Sequence, residues 1–395
     1  MSSTSPDDLL DLALGATDGS ARHRLRRQRA RVVDASQAAH EAIFDVALPG
    51  LAIDERLEAA WVVAQASGCE ALARHYREAL AAVASSSGAA QAAGAVAAAG
   101  HGAAGRARRE ALLGFPRTLA ERPQEAGRDR LLALPAAGID VDAVVTLAQL
   151  IGLVAFQVRG GAGLAAMSDA LQVPAATPEA APGAPFVHPA HLPPPGEPVR
   201  VAGFTSEPLD WKAWLPVLPF AQATDYQRAV LEASHPTASS SDYYLTLVRQ
   251  PRILEQRSAA FNAIMYAPGG LSRAERELAS TATSRINGCV YCAAVHALRF
   301  EQLAGRNDII VQVFEDPESA GTTPRERAIV QASVALTRDP GRFGPGHLAA
   351  ARQAGLSDIE ILDMIHAIAI FAWANRLMLN LGEPVLPAVA PRSPR

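Results

Sequence analysis

The chain repeats itself, and the repeat constrains its fold more tightly than any bulk property does. Residues 49–76, PGLAIDERLEAAWVVAQASGCEALARHY, align without gaps on residues 269–296, GGLSRAERELASTATSRINGCVYCAAVH, at an offset of 220. Leu51 falls on Leu271, Glu55 on Glu275, Arg56 on Arg276, Gly68 on Gly288 and Cys69 on Cys289. Residues 119–140 then align on 336–357 at an offset of 217, placing Pro123 on Pro340, Leu131 on Leu348 and Gly138 on Gly355. Further along, Phe156-Gln157-Val158-Arg159 meets Trp373-Ala374-Asn375-Arg376. Low complexity can imitate alanine matches, but not an ordered set of Gly, Cys, Pro and Arg. The pattern is an internal duplication of one helical unit.

Between the copies runs VPAATPEAAPGAPFVHPAHLPPPGEP, residues 173–198, with nine prolines. Proline lacks an N–H and disfavours helix in the residue before it, so this segment reads as a linker with polyproline character. It divides the chain into residues 1–172, the Pro-rich linker 173–198, and residues 199–395. Alanine is abundant, aromatic residues make up 5%, and no segment alternates β-branched residues over a strand's length, so the expected class is all-α. Helices are expected over Ser241–Ala267, Ser272–Ile286, Cys289–Leu303, Pro324–Leu336, Pro345–Ala354 and Ser357–Leu379. Ser272 with Glu275 forms a capping box, Asn287-Gly288 breaks the chain, and Gly355 and Ser357 suit a helix end and the next N-cap. Residues 1–20 read as polar and frayed. The six arginines between Arg22 and Arg31 read as a solvated helix face. Ser85–Gly105 is an Ala-rich stretch of low complexity.

Several function classes drop out. A formal charge of −4 does not suit a nucleic-acid binder. Three cysteines cannot build a secreted disulfide framework. The acidic start, MSSTSPDDLLDLALG, lacks the order of a signal peptide, and the apolar runs Leu147–Phe156 and Ile368–Ala374 fall short of the roughly 20 residues that span a bilayer. The expectation is a soluble cytoplasmic protein. Walker, G-x-G-x-x-G, G-x-S-x-G and H-E-x-x-H patterns are all missing from the sequence, so no nucleotide, flavin or metal cofactor is expected.

Only the second copy concentrates reactive side chains: Glu277, Cys289, Cys292 and His296. The two cysteines and the histidine stand at i, i+3 and i+7, so a helix presents them on one face. Unpaired N–H groups and the dipole at a helix N-terminus favour thiolate, and two thiols at this spacing can interconvert with a disulfide. His296 can exchange a proton with Cys292, and Glu277, on the preceding helix, can orient that histidine or act as a base. Zinc ligation, a thioredoxin-type motif and inert buried cysteines are the competing readings. Structural zinc sites usually draw on two separated ligand pairs, and no strand precedes Cys289 as a thioredoxin motif requires. In the first copy Leu57, Leu72 and Tyr76 occupy the positions of Glu277, Cys292 and His296, and only Cys69 survives. Glu58 and His75 lie about 100° off around the helix. His366 reads as a core histidine or a pocket residue, and Arg376 as a possible partner of Glu277.

The stretch LSRAERELASTATSRINGCVYCAAVH resembles the signature of the carboxymuconolactone decarboxylase-like superfamily, in its alkylhydroperoxidase D-like branch: a Glu, eleven residues, then C-x-x-C-x-x-x-H. Its SRxNxCxYC form, with DWKAWLPVLP at 210–219 and FAWANRLMLNLGEP at 371–384, is similar to the peroxidase-related members. The resemblance covers roughly residues 205–385 and is degenerate in the first half. It implies two tandem alkylhydroperoxidase D-like helical domains, the first non-catalytic, in a chain that forms homo-oligomers. It also implies a thiol peroxidase acting on organic hydroperoxides or hydrogen peroxide. Cys292 would attack the peroxide and become a sulfenic acid, and Cys289 would resolve it. Glu277 and His296 would relay the proton, and a dithiol donor, such as a lipoyl- or thioredoxin-like protein, would reduce the disulfide. A dithiol–disulfide redox adaptor and a carboxymuconolactone decarboxylase-like enzyme are the alternatives. Well-known members carry a histidine just before the second cysteine; here that residue is Tyr291, whose phenol, with an ordinary pKa of about 10, is a poor proton acceptor.

Overall fold

The computed structural model describes residues 8–86, 103–167 and 192–387. Most of the expected linker (173–191) and most of the Ala-rich stretch (87–102) lie outside the described residues. In the first half the helices are α1 (Leu9–Leu14), α2 (Ala21–Arg27), α3 (Ala30–Phe44), α4 (Ile53–Ala66), α5 (Glu70–Ser86), α6 (Ala103–Glu121), α7 (Gly127–Ala136) and α8 (Val141–Ala166). The second half follows with α9 (Asp225–Ser234), α10 (Asp242–Leu247), α11 (Pro251–Met265), α12 (Arg273–Asn287), α13 (Val290–Ala304), α14 (Asp308–Glu315), α15 (Pro324–Arg338), α16 (Pro345–Gln353) and α17 (Asp358–Asn380). Two short antiparallel ladders accompany them: β1 (Arg200–Val201) with β2 (Phe204–Thr205), and β3 (Asp210–Ala213) with β4 (Gly382–Val385), the latter pairing Trp211 with Pro384. The fold is helical, as the composition implies.

The duplication reappears in the element order. The α4–α5 pair matches α12–α13, and α6, a short 3₁₀ turn at Pro123–Glu125, α7 and α8 match α15, a 3₁₀ turn at Pro340–Arg342, α16 and α17. The repeated glycines serve backbone geometry. Gly68 and Gly288 end the first helix of each pair at φ 69° and 76°, where a Cβ is strained. The Ser272–Glu275 capping box forms as read, with the Glu275 N–H on Ser272 Oγ and the Ser272 N–H on Glu275 Oε2.

Three local expectations fail for physical reasons. The helix expected over Ser241–Ala267 breaks at Val248–Gln250, because Pro251 disfavours helical backbone at Gln250 and opens α11 instead. The N-terminal stretch is not frayed throughout: Asp8 caps α1 and, with Asp11, binds the buried Arg26 at 2.7 and 2.5 Å. The arginine run is therefore not simply a solvated face. Arg26 is buried, and Arg29 reaches across to Asp363 with two hydrogen bonds of 2.7 and 2.8 Å.

The two halves meet along α8 and α17. Both helices are long and apolar enough on average to cross a membrane, yet 89% and 94% of their apolar windows are buried inside the protein. Gly152 admits the Trp373 indole and Gly163 admits Ile365; the Trp373 Nε1–H donates to Gln149 Oε1 at 2.9 Å. Two buried arginines at equivalent positions bind reciprocally. Arg376 donates to the Leu119 and Ala120 carbonyls at the C-terminus of α6, and Arg159 donates to the Thr337 carbonyl at the C-terminus of α15. Thr337 is the counterpart of Ala120 in the repeat, so the contact has two-fold character. Neither guanidinium meets a carboxylate among the described residues; each uses the negative end of a helix instead. Burial, with the neighbouring Arg159, holds the Arg376 pKa well below the usual arginine value, and burial brings Arg159 down to about 10. Arg376 therefore does not serve Glu277.

Two predictions follow from this interface. A Cβ at position 152 would stand 2.1 Å from Trp373 Cδ1, so Gly152→Ala should destabilise the chain by about 1–3 kcal/mol, measured by urea unfolding. His366 is buried with its Nδ1 unpartnered, and burial pushes its pKa down to about 3. Below about pH 6.5 the unfolded chain takes up a proton that the folded chain refuses. Stability should thus fall as pH drops from 6.5 toward 4, and His366→Leu should flatten that slope in thermal melts.

Candidate active site

Glu277 sits on α12 with its carboxylate fully buried, yet it is not alone. One oxygen lies 2.5 Å from His296 Nδ1 on α13, and the other accepts from Arg273 Nε at 2.5 Å, one turn earlier on its own helix. Burial would raise this carboxyl, but His296 and Arg273 outweigh it and hold the pKa below the ordinary range. Arg273 also lies over the Tyr266 ring at 4.0 Å and borders a cleft of about 290 Å³ lined by Tyr266, Leu271 and Gly270. The i, i+4 spacing of Arg273 and Glu277 was present in the sequence; reading the cysteine motif alone passed over it.

The turn at Gly288 folds α13 back against α12. The Cys289 N–H returns to the Ser284 carbonyl at 2.9 Å, and Cys289 becomes the N-cap of α13. Cys289 and Cys292 are both free and buried, their sulfurs 2.7 Å apart with the Cys289 thiol donating to Cys292 Sγ. Burial pushes the Cys289 thiol well above its usual pKa, and the adjoining Cys292 adds to the shift. The Cys292 N–H and the Asn375 side chain oppose it by hydrogen bonding to Cys289. Asn375 is in turn held by Asn287, at 2.9 Å, and by Ser284, at 3.0 Å. This buried polar chain from α12 to α17 carries no sequence signature, because its members are 88 and 91 residues apart.

The four residues singled out from the sequence thus fall into two contacting pairs on the adjoining helices α12 and α13, Glu277 with His296 and Cys289 with Cys292. His296 keeps one nitrogen on Glu277 and stands edge-on to Phe371, ring centroids 4.3 Å apart. Cys292 lies one helical turn before it. Tyr291 is partly buried, and burial, with the nearby Cys292, raises its phenol to about 12, which makes it a poorer acceptor still. Among the described residues no group of three or more His, Cys, Asp or Glu side chains could hold a metal ion.

The equivalent place in the first half has different chemistry. Leu57, Leu72 and Tyr76 are buried, and the Tyr76 hydroxyl donates to Gln157 Oε1 at 2.6 Å. Glu58 pairs with Arg109, while the His75 ring packs edge-on against Tyr76. Burial raises the pKa of Cys69, which has no second cysteine beside it. The site is nevertheless tied to that half, since Gly288 lies against Gln124 and, reciprocally, Gly68 against Gly341.

Residues 251–335, from α11 into α15, match the carboxymuconolactone decarboxylase family. A solved structure described as the alkylhydroperoxidase AhpD core, an uncharacterized peroxidase-related protein from Ralstonia eutropha JMP134, is 26% identical. The match covers 41% of this chain and 86% of that one, with a TM-score of 0.37. No curated protein matches the chain. Residues 251–335 are thus similar to the carboxymuconolactone decarboxylase family.

The buried carboxylate depends on both partners. Arg273→Gln should cost about 1–3 kcal/mol in denaturant unfolding at pH 7, because Glu277 would lose its guanidinium partner and keep only the hydrogen bond to His296. The loss should shrink below pH 4, where protonation of the carboxyl removes the charge that Arg273 compensates.

Proposed function

We propose that this chain, carrying a carboxymuconolactone decarboxylase family segment in its second half, is a thiol peroxidase for small hydroperoxides. The observation that carries the reading is the hydrogen-bonded Glu277–His296 pair one helical turn from two free sulfurs in contact. Glu277 holds Nδ1 of the imidazole, which leaves Nε2 to take the thiol proton of Cys292. Burial raises the Cys289 pKa, which suits that sulfur to remain a thiol and resolve, and Cys292, in contact with it and one helical turn before His296, is assigned the attack.

In the first step the Cys292 sulfur attacks the terminal peroxide oxygen. An S–O bond forms, the O–O bond breaks, the sulfur is oxidised to sulfenic acid, and the peroxide leaves as an alcohol after taking the proton held by His296. Cys289 then displaces hydroxide, which leaves as water, and the Cys289–Cys292 disulfide forms; an external dithiol returns both sulfurs to thiols. Residues 1–172 are assigned a structural role, covering the Gly288 turn rather than reacting.

Cys292→Ser should abolish peroxide consumption. Cys289→Ser should undergo one oxidation, leave a sulfenic acid that dimedone labels, and fail to turn over. The measurement is stopped-flow oxidation of reduced protein by cumene hydroperoxide with mass spectrometry of the products. Wild-type protein no faster than free cysteine would overturn the reading, and ring-opening or lactone-decarboxylating activity surviving in Cys292→Ser would favour the family's decarboxylase chemistry instead.

A further inference from the structure

Near the sulfur pair lies a group of polar side chains that the steps above do not use. Tyr243 on α10 is 3% exposed, and its hydroxyl is buried without a hydrogen-bond partner. It stands within electrostatic range of both Cys289 and Cys292. Its ring is held edge-on by Trp211, centroids 5.6 Å apart, and Trp211 is itself anchored through Nε1 to the Met378 carbonyl. On its other flank is Arg257 of α11, 4% exposed, with its guanidinium 5.5 Å from the Tyr243 ring and 5.2 Å from Phe261. Arg257 hydrogen-bonds Tyr244, but its Nε is unpartnered, and it meets no carboxylate among the described residues.

A buried hydroxyl without a partner is destabilising, and a buried cation without an anion is more so. Packing does not need either group: phenylalanine would fill the ring's place against Trp211. Such donors are useful where negative charge develops during a reaction, since a prearranged donor needs no reorganisation at that moment. The reacting centre supplies that charge on its leaving oxygen. The other charged and titratable groups facing the centre are taken or unsuited. Glu277 and Arg273 pair with each other, His296 is bound to Glu277, and Tyr291 faces Asp210 and Tyr244 as well as the sulfurs.

We infer that Tyr243 is a catalytic hydrogen-bond donor of this site: its hydroxyl binds the leaving oxygen of the hydroperoxide, and Arg257 is a positioning residue that holds and polarises the phenol. The inference rests on the peroxidase reading. The sulfur attacks the terminal oxygen as before, and the phenol keeps its own proton while stabilising the alkoxide until His296 protonates it. The donor thus stands in for the histidine that well-known members place where this chain has Tyr291. The substrates it favours are alkyl hydroperoxides, whose leaving alkoxides are strongly basic.

The test is single-turnover oxidation of reduced full-length protein by tert-butyl hydroperoxide, cumene hydroperoxide and peracetic acid, whose leaving groups decrease in basicity in that order. Tyr243→Phe should slow tert-butyl hydroperoxide by about 30-fold or more and peracetic acid by less than about 5-fold, steepening the dependence on leaving-group basicity. Its melting temperature should stay level or rise, since only an unpartnered oxygen is lost. Arg257→Met should steepen the same dependence, and Arg257→Lys should restore part of it; these variants carry the test if Tyr243→Phe does not fold. Equal losses for all three oxidants, or a wild-type rate in Tyr243→Phe, would overturn the inference and leave the peroxidase reading intact. Wild-type protein that reacts with none of the three faster than free cysteine would overturn both.

Discussion

The contact between α8 and α17 organises the molecule. Each helix is too apolar to face water, and each supplies what the other lacks: Gly152 and Gly163 open space for Trp373 and Ile365. The reciprocal arginines make the contact directional. Arg159 and Arg376 each carry a buried charge that donates to the helix end of the opposite half as well as to a carbonyl of its own helix, so sliding the halves would strip each cation of part of its partners. Once this contact forms, the turn at Pro123–Glu125 lies against Gly288, and the equivalent turn at Pro340–Arg342 lies against Gly68. The candidate site is thereby built into the shared core rather than into one half alone.

Within that frame the site separates charge from reactivity. Glu277 is held by His296 on one oxygen and by Arg273 on the other. The Asn287–Asn375–Ser284 network positions Cys289. The Tyr243 hydroxyl and the Arg257 Nε lie buried without a protein acceptor.

The first half keeps the packing positions of the repeat with other residues at the positions of the reactive ones. Leu131 and Leu348, Gly138 and Gly355, and Arg56 and Arg276 keep equivalent places, the last two both spanning to backbone carbonyls. The positions of Glu277, Cys292 and His296 hold Leu57, Leu72 and Tyr76, which fill the same volumes without the cost of a buried carboxylate. Such a half can still bury a partner's surface, and here the partner is the second half of its own chain.

The sequence by itself determined the helical class, the duplication and the four reactive residues, because these rest on local order: 3.6-residue periodicity, capping residues, glycines at helix ends and a motif confined to twenty residues. The break at Pro251 was legible too, had the rule for the residue before proline been applied. The partner of Glu277, the fate of Arg376 and the unpartnered donors at Tyr243 and Arg257 were decided only by tertiary structure. Arg376 is 99 residues from Glu277 and could be imagined beside it, yet burial sent it to the carbonyls of α6, some 256 residues away. Charge complementarity in a sequence says which groups could pair. Which of them do depends on the low-dielectric surroundings that packing creates, and those exist only once α8 and α17 have met.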